Sequence, residues 1–302
     1  MITNENSGTK FNKYVVSVAS WEERFLEGSK KLLGSNKPDI FLMSYCTEYA
    51  ELSKDNRNRI KVFCIKNNIK FVDTSLSFKD PVASWCSTKK LLLSNAIEGQ
   101  EVTIDISTMP REIIWTTLSF LDALKCKISY IYYKPESYND DWLSQEPDKP
   151  RIVFKLGGVS KLGASTVLTV LSGYDTERVN QLINFFEPEL TFIGVQSGSQ
   201  MKNEEKNVKK CEFEFGNLKD VKLFELDAYS LDHGYKAINK KILPYIADYN
   251  VVLSSLGPKL SAVALYRLHK TYPDIALAYA PSKKFNPEYS FGLGEPFAGD
   301  LR

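Results

Sequence analysis

The sequence predicts an α/β protein built from two tandem, doubly wound, parallel-sheet domains of the Rossmann-like type. In both halves, apolar runs rich in β-branched residues alternate with amphipathic segments of helical length. This alternation is typical of a parallel sheet that helices cover on both faces. The chain has 302 residues, of which 43% are hydrophobic and 25% charged, so it is long enough for two domains with separate cores.

An internal repeat supports the same prediction. The segment Val15–Arg24 has the pattern of Val167–Arg178, and Val102–Arg111 has the pattern of Val251–Lys259. Each segment is an apolar strand followed by a polar turn that contains a cation. The offset between matched residues drifts only from 154 at the first pair of cations to 148 at the second. Slow drift indicates a duplicated domain with small insertions and deletions, and it predicts domains at 1–150 and 151–302.

The expected elements follow from apolar runs and helix-start signals. In the first domain we expect strands near 13–19, 38–44, 70–73, 102–106 and 127–133, with helices at 22–33 and 110–124. In the second domain we expect strands near 166–172, 190–195, 221–226, 250–255 and 274–279, with helices near 175–186, 234–248 and 258–270. The polar segment 137–150 is expected to be an exit loop, 151–158 a short connecting strand, and the tail 281–302 an irregular strap.

Composition excludes several classes of function. The formal net charge is only +2, so no global field attracts nucleic acid or an anionic membrane, and direct DNA binding is not indicated. No apolar run approaches the ~20 residues of a bilayer span, and the N-terminus is polar, so we expect a cytoplasmic protein. Two histidines and five cysteines without a C-x-x-C pair give little material for a metal site or a His-based triad. No cofactor is predicted.

The candidate ligand residues lie in four turns at the carboxyl ends of strands, where helix N-termini present unpaired N–H groups. After the first strand of each domain these residues are Ser20, Trp21 and Arg24, and then Ser172, Gly173, Tyr174 and Arg178. After the fourth strand they are Asp105, Ser107, Thr108 and Arg111, and then Ser254, Ser255, Gly257 and Lys259. Hydroxyl groups, a cation and a helix N-terminus at one place suit a phosphate. The alternative is that Ser107, Thr108 and Ser255 only cap helices.

Two of these turns carry a resemblance to a known family. Residues 105–111, the first turn, and 254–259, the second turn, resemble the small-residue turn ending in Lys or Arg of the CRISPR-associated Rossmann-fold (CARF) sensor domains. Two such domains in one chain are similar to the SAVED type of receptor. The resemblance implies a nucleotide or cyclic oligonucleotide in the interdomain crevice, and anti-phage defence. The first turn departs from the glycine-rich pattern at Met109 and Pro110. We therefore expect the second turn to be the stronger anion site.

Three functions remain open from the sequence. The first is a sensor that signals to a separate effector protein. The second is an enzyme acting on a nucleotide or phosphorylated substrate, with Asp105, Arg111, Lys259 and Asp232 as catalytic groups. The third is a structural subunit of a defence complex with degenerate pockets. A further motif, the P-loop-like glycine spacing at 158–165, has Ala164 where its phosphate-binding lysine should be.

Overall fold

The computed structural model describes residues 14–173, 175–197 and 204–301. The first domain contains five parallel strands and four helices. They are β1 (Tyr14–Ala19), α1 (Glu23–Asn36), β2 (Ile40–Cys46), α2 (Ala50–Lys66), β3 (Lys70–Leu76), α3 (Pro81–Leu93), β4 (Glu101–Asp105), α4 (Arg111–Ala123) and β5 (Lys127–Tyr133). Three short strands follow: β6 (Ser137–Tyr138), β7 (Ser144–Pro147) and β8 (Arg151–Ile152).

The second domain repeats this arrangement. Its elements are β9 (Thr166–Leu171), α5 (Thr176–Phe186), β10 (Leu190–Gln196), α6 (Glu204–Phe215), β11 (Val221–Leu226), α7 (Tyr235–Ile242), β12 (Asn250–Ser255), α8 (Lys259–Thr271) and β13 (Ala276–Tyr279). The tail adds β14 (Ser282–Phe285), β15 (Ser290–Phe291) and β16 (Pro296–Asp300). No helix of the described residues is long and apolar enough to cross a bilayer.

The two sheets have the same strand order. The first sheet runs β3–β2–β1–β4–β5 and the second runs β11–β10–β9–β12–β13, with every one of these pairs parallel. This is the order of the first five strands of a Rossmann-type sheet. The prediction of two doubly wound α/β domains is therefore confirmed. Descent from a duplicated unit, and the boundary between 150 and 151, stay predictions.

Each sheet gains a sixth, antiparallel strand at its β5 or β13 edge. Strand β16, from the tail, pairs with β5 of the first sheet, and β8 pairs with β13 of the second sheet. The expected irregular strap thus contains three short strands, of which β14 and β15 pair with β7 and β6. Strands of two to five residues are too short to show a period-of-two pattern, so the sequence did not reveal them.

The alternation of side chains along the strands divides the apolar residues into three clusters. One outer cluster joins the first sheet to α1 and α2, and the other joins the second sheet to α5 and the described part of α6. The central cluster lies between the sheets and includes residues of α3, α4, α7 and α8. Helices therefore cover both faces of each sheet, and the two domains share one core. Within it α4 packs against α8, and Trp115 Nε1 donates to the carbonyl of Ala262 at 2.9 Å.

Three helices, α2, α3 and α6, were missing from the sequence expectation. Helix α2 shows why, because its seventeen residues bury only Ser53, Ile60 and Cys64. A helix that lies on the rim of a core needs few apolar residues, so its periodic signal is weak.

Candidate ligand-binding site between the domains

The packing of α4 against α8 brings the first and second turns together. Each turn connects the carboxyl end of a fourth strand to one of these helices. The helices start after Pro110 and Pro258, and neither start has a side-chain cap. The hypothesis that hydroxyl groups of these turns cap the helices is therefore wrong. The first N–H groups of both helices stay available to an anion, which the helix dipole would favour.

The cations at the ends of the two turns cross the domain interface reciprocally. Arg111 Nη2 donates to the carbonyl of Leu256 at 3.0 Å and to that of Gly257. Lys259 Nζ donates to the carbonyl of Ser107 at 2.9 Å. Arg111 and Lys259 are matched positions of the internal repeat. Each domain thus holds the other domain's turn with its own cation.

Carboxylates do not balance all the cations in this crevice. Arg24 forms an ion pair with Glu22 at 2.8 Å, and Arg178 forms one with Asp175 at 2.8 Å. Among the described residues, Arg111 and Lys259 have no carboxylate within ion-pair distance, and their donors meet only backbone carbonyls. The two partly buried cations therefore face each other's domain without a salt-bridge partner, and Glu22 and Asp105 act on Lys259 only from beyond ion-pair distance.

Burial changes the pKa values of the charged groups in the crevice. It lowers the pKa of Lys259 well below its ordinary value, and the Arg24 charge lowers it further. Burial also lowers the pKa of Arg111. For Glu22, burial opposes ionisation, but Arg24, Lys259 and a hydrogen bond from Ser290 hold its pKa below the ordinary value. An anion placed beside Lys259 and Arg111 would offset the cost of keeping them charged.

The first pocket opens beside the first turn and contains about 690 Å³ of space not filled by atoms, its opening to solvent included. Residues from the carboxyl ends of strands in both domains line it, together with aromatic residues of the tail. They are Val18, Ala19, Ser20, Trp21, Glu22, Cys46, Tyr49, Phe78, Thr108, Pro110, Arg111, Arg178, Lys259, Tyr279, Phe285 and Tyr289.

The second pocket is the counterpart beside the second turn, with about 510 Å³ of unfilled space. It is lined by Arg24, Arg111, Tyr132, Tyr138, Leu143, Ser172, Gly173, Gln196, Leu256, Gly257, Pro258, Lys259 and Tyr289. Each pocket is therefore lined mainly by the turns of one domain. Besides the shared Arg111, the other domain contributes one arginine, which is Arg178 in the first pocket and Arg24 in the second. Arg111, Lys259 and Tyr289 line both pockets.

Most of the predicted site residues meet at these pockets. The residues that line at least one pocket are Ser20, Trp21, Arg24, Thr108, Arg111, Ser172, Gly173, Arg178, Gly257 and Lys259. The prediction of a common crevice for Arg111 and Lys259 agrees with this geometry. Tyr174 lies outside the described residues.

Four predicted residues line neither pocket, and three of them serve their own domain. Asp105 accepts from the Ser107 N–H at 2.9 Å, and Ser107 Oγ accepts from the Tyr133 N–H at 2.8 Å. Ser255 Oγ pairs with Ser261 Oγ at 2.9 Å. Ser254 is fully buried, and its hydroxyl has no partner among the described residues. These groups shape the turns from within because they lie below the surface of the crevice.

The structure gives Met109 and Gly257 packing roles that do not depend on a ligand. Met109 is fully buried in the central core and does not line the first pocket, so it does not crowd a ligand there. A Cβ on Gly257 would lie 2.6 Å from the carbonyl oxygen of Ser172. Glycine is therefore needed at this position for the close approach of two backbone segments, whether or not a phosphate binds.

Sequence reasoning missed several aromatic residues of the first pocket. They are Tyr49, Phe78, Tyr279, Phe285 and Tyr289. Tyr49 stands directly before a helix that was not predicted, and Phe285 and Tyr289 belong to the tail. The density of aromatic residues in that tail was the available signal, because a solvated strap does not need them.

Comparisons with known proteins found likenesses in structure but no match in sequence. No family model matches the chain, and no curated protein matches it in sequence. Among solved structures, it is similar to Can2 from Sulfobacillus thermosulfidooxidans, determined in complex with cyclic tetra-adenylate. That likeness has a TM-score of 0.28 and 10% identity, and it covers 39% of this chain and 31% of the other. At that TM-score it carries no argument about ligand or function.

Proposed function

We propose that this protein is a ligand-binding sensor for a nucleotide or cyclic oligonucleotide, which Arg111 and Lys259 hold between the domains. The observation that carries this proposal is the meeting of these two cations, without a carboxylate partner in the described structure, beside two uncapped helix starts. Burying a cation without a counter-charge is costly, so an anion in the crevice is stabilising. Phosphate groups suit such donors, because N–H groups at helix starts and cationic side chains bind them together.

The reciprocal hydrogen bonds supply a route for the signal. A phosphate that accepts from Arg111 and Lys259 competes with the carbonyls of Leu256, Gly257 and Ser107, which accept hydrogen bonds from these side chains in the structure. Binding would therefore change the bonds that cross the interface and shift the relative position of the domains. A separate effector protein would read that shift, in anti-phage defence as the CARF and SAVED resemblance implies.

The same hydrogen bonds support a second candidate, the structural subunit. In that role the two cations would serve only to join the domains, since backbone carbonyls already accept from them. The catalytic hypothesis has less support. Asp105 and Asp232 line neither pocket, and the Asp232 carboxylate accepts from the N–H groups of Gly234 and Lys236 at the start of α7.

Calorimetric titration with mono-, di- and cyclic nucleotides tests the sensor. Lys259→Ala should weaken affinity at least about tenfold, because a charge-assisted contact contributes on the order of 1.5–3 kcal/mol. Arg111→Ala should weaken it less, since Arg111 already donates to two carbonyls whereas Lys259 donates to one. Lys270→Ala is the matched control, because Lys270 is an exposed cation of α8, the helix that begins at Lys259, and pairs with Asp122. This variant should leave affinity unchanged.

Two results would count against the sensor. Absence of binding by the parent protein to every nucleotide of the panel, with both crevice variants losing only stability, would favour the structural subunit. Equal losses of affinity in Lys259→Ala, Arg111→Ala and Lys270→Ala would show that the measured binding is not in the crevice.

A further inference from the structure

The two pockets differ in aromatic content, although the turns that line them are matched. In the first pocket five partly exposed aromatic rings form a continuous cluster, which we call the aromatic wall: Trp21, Tyr49, Phe78, Phe285 and Tyr289. The ring of Tyr49 lies 5.3 Å from that of Trp21, 5.7 Å from Phe78 and 5.6 Å from Phe285. Partly exposed rings at the edge of a cavity offer faces for stacking.

The second pocket is the polar one. Ser172, Gln196 and Arg24 line it, and its tyrosines are Tyr132, Tyr138 and the shared Tyr289. Arg24 is only 1% exposed, and its Nη1 has no partner in the described structure. A buried guanidinium with a free donor at the edge of a pocket suits an anionic or strongly polar ligand group.

A polar wall separates the two pockets. Arg111 and Lys259 line both, and each is hydrogen-bonded to the opposite turn. A ligand with several equivalent nucleotides would need pockets of the same character on both sides of this wall. The first pocket is lined by six aromatic residues and the second by three, whereas each pocket contains Arg111, Lys259 and one further arginine.

We propose that the first pocket is a subsite for a single nucleobase, and that the ligand is one nucleotide whose phosphate lies on Arg111 and Lys259 and faces the second pocket. The base stacks on the aromatic wall, where the buried indole N–H of Trp21 also lacks a partner among the described residues. This inference rests on the proposed sensor function. It adds that the preferred ligand carries one base, so a cyclic tetranucleotide should bind more weakly than a mononucleotide.

The test compares ligands that share a phosphate and differ in their bases. The full chain is titrated with the four 5′-mononucleotides, ribose 5-phosphate and cyclic tetra-adenylate. At least one mononucleotide should bind more tightly than ribose 5-phosphate by at least about fivefold, because base stacking on an aromatic side chain contributes that much or more. Cyclic tetra-adenylate should bind more weakly than that mononucleotide.

Variants of Trp21 show whether the preference comes from the aromatic wall. Trp21→Leu should abolish the preference over ribose 5-phosphate and leave the affinity for ribose 5-phosphate itself unchanged, whereas Trp21→Phe should keep most of the preference. Trp85→Leu is the matched control, because Trp85 packs on Phe120 and Phe154 and does not line the first pocket. Retention of the preference in Trp21→Leu would overturn the base subsite.

The remaining outcomes separate this inference from the proposed function. Tight binding of cyclic tetra-adenylate without binding of any mononucleotide would overturn the single-base ligand and leave the sensor in place. Equal affinities for mononucleotides and ribose 5-phosphate would overturn the base subsite and leave an anion site. No binding of any of these phosphates would overturn both proposals.

Discussion

The first and second turns occupy matched places in the two domains and differ in how they are built. The first turn uses its polar side chains inside its own domain: Thr108 Oγ1 donates to the Val18 carbonyl at 2.9 Å, and Met109 fills the core. The second turn has a glycine at the position of Met109 and brings its backbone close to Ser172. Both turns nevertheless end in proline and a cation that reaches across the interface. The residues that differ between the turns pack within their own domains, whereas the shared proline and cation line the crevice.

The first prediction concerns Met109, whose side chain has no equivalent in the second turn. Met109→Ala should lower the free energy of unfolding by about 2–5 kcal/mol, because it leaves a cavity in the shared core. Chemical denaturation followed by circular dichroism measures the loss. Leu162→Ala is the control, because Leu162 is 105% exposed and should change stability by less than about 0.5 kcal/mol. Equal free energies of unfolding for the two variants would show that Met109 does not pack in the core.

The second prediction concerns Gly257 at the matched position. Gly257→Ala should lower the free energy of unfolding by about 1–3 kcal/mol, because the new Cβ meets backbone that cannot easily move. Gly34→Ala, inside α1, should be neutral or stabilising, since its nearest atom outside the helix, Cζ of Phe63, would lie 3.6 Å from the new Cβ. Denaturation of both variants tests this. A harmless Gly257→Ala would show that the close approach to Ser172 does not require glycine.

The third prediction uses pH to distinguish the two cations. Burial lowers the pKa of Lys259, so Lys259 loses its proton at a lower pH than an ordinary lysine. Affinity for an anion should therefore fall as pH rises through the pKa of Lys259, by no more than the loss that Lys259→Ala causes. Sulfate is the probe, because its charge is constant over the range used, and its stabilising effect is read from thermal unfolding between about pH 5 and pH 10.

The control for this pH dependence is Lys259→Arg, which keeps its charge throughout the range. A sulfate effect that falls equally in the parent and in Lys259→Arg would assign the titration to another group. A sulfate effect that is constant with pH in both proteins would contradict a lowered Lys259 pKa.

The smallest expected effect concerns Asp105, whose counterpart in the repeat is the buried Leu253. Burial raises the pKa of Asp105 despite its hydrogen bonds from Ser107. Above 3.8, the pKa of Asp105 in the unfolded chain, the unfolded state loses this proton before the folded state does. The free energy of unfolding therefore decreases with rising pH until the pKa in the folded state is passed. Asp105→Asn should then equal or exceed the parent in stability at pH 8, by no more than about 1–2 kcal/mol. The difference should disappear towards pH 3.

Unfolding at both pH values checks this prediction. A variant that is clearly less stable at pH 8 would mean that the ionised carboxylate is stabilising in the crevice, which would agree with a favourable interaction with Lys259.

The positions of the strands along the chain followed from the sequence because buried parallel strands are continuous apolar runs, which are visible without any contact information. Pro110 and Pro258 marked the starts of α4 and α8 for the same kind of local reason. The rule that ligands bind at the carboxyl ends of parallel strands then selected Arg111 and Lys259 as candidates. These inferences need only periodicity and turn chemistry.

The tertiary structure decided which groups the crevice uses. The sequence does not show that Arg111 and Lys259 reach each other's turn, that Asp105 lies below the pocket surface, or that the tail returns to pair with β5. It also could not place Tyr49 beside Phe285, more than two hundred residues later, in one aromatic wall. Such contacts depend on the packing of two sheets around α4 and α8, and packing between distant segments leaves no periodic signal in either of them.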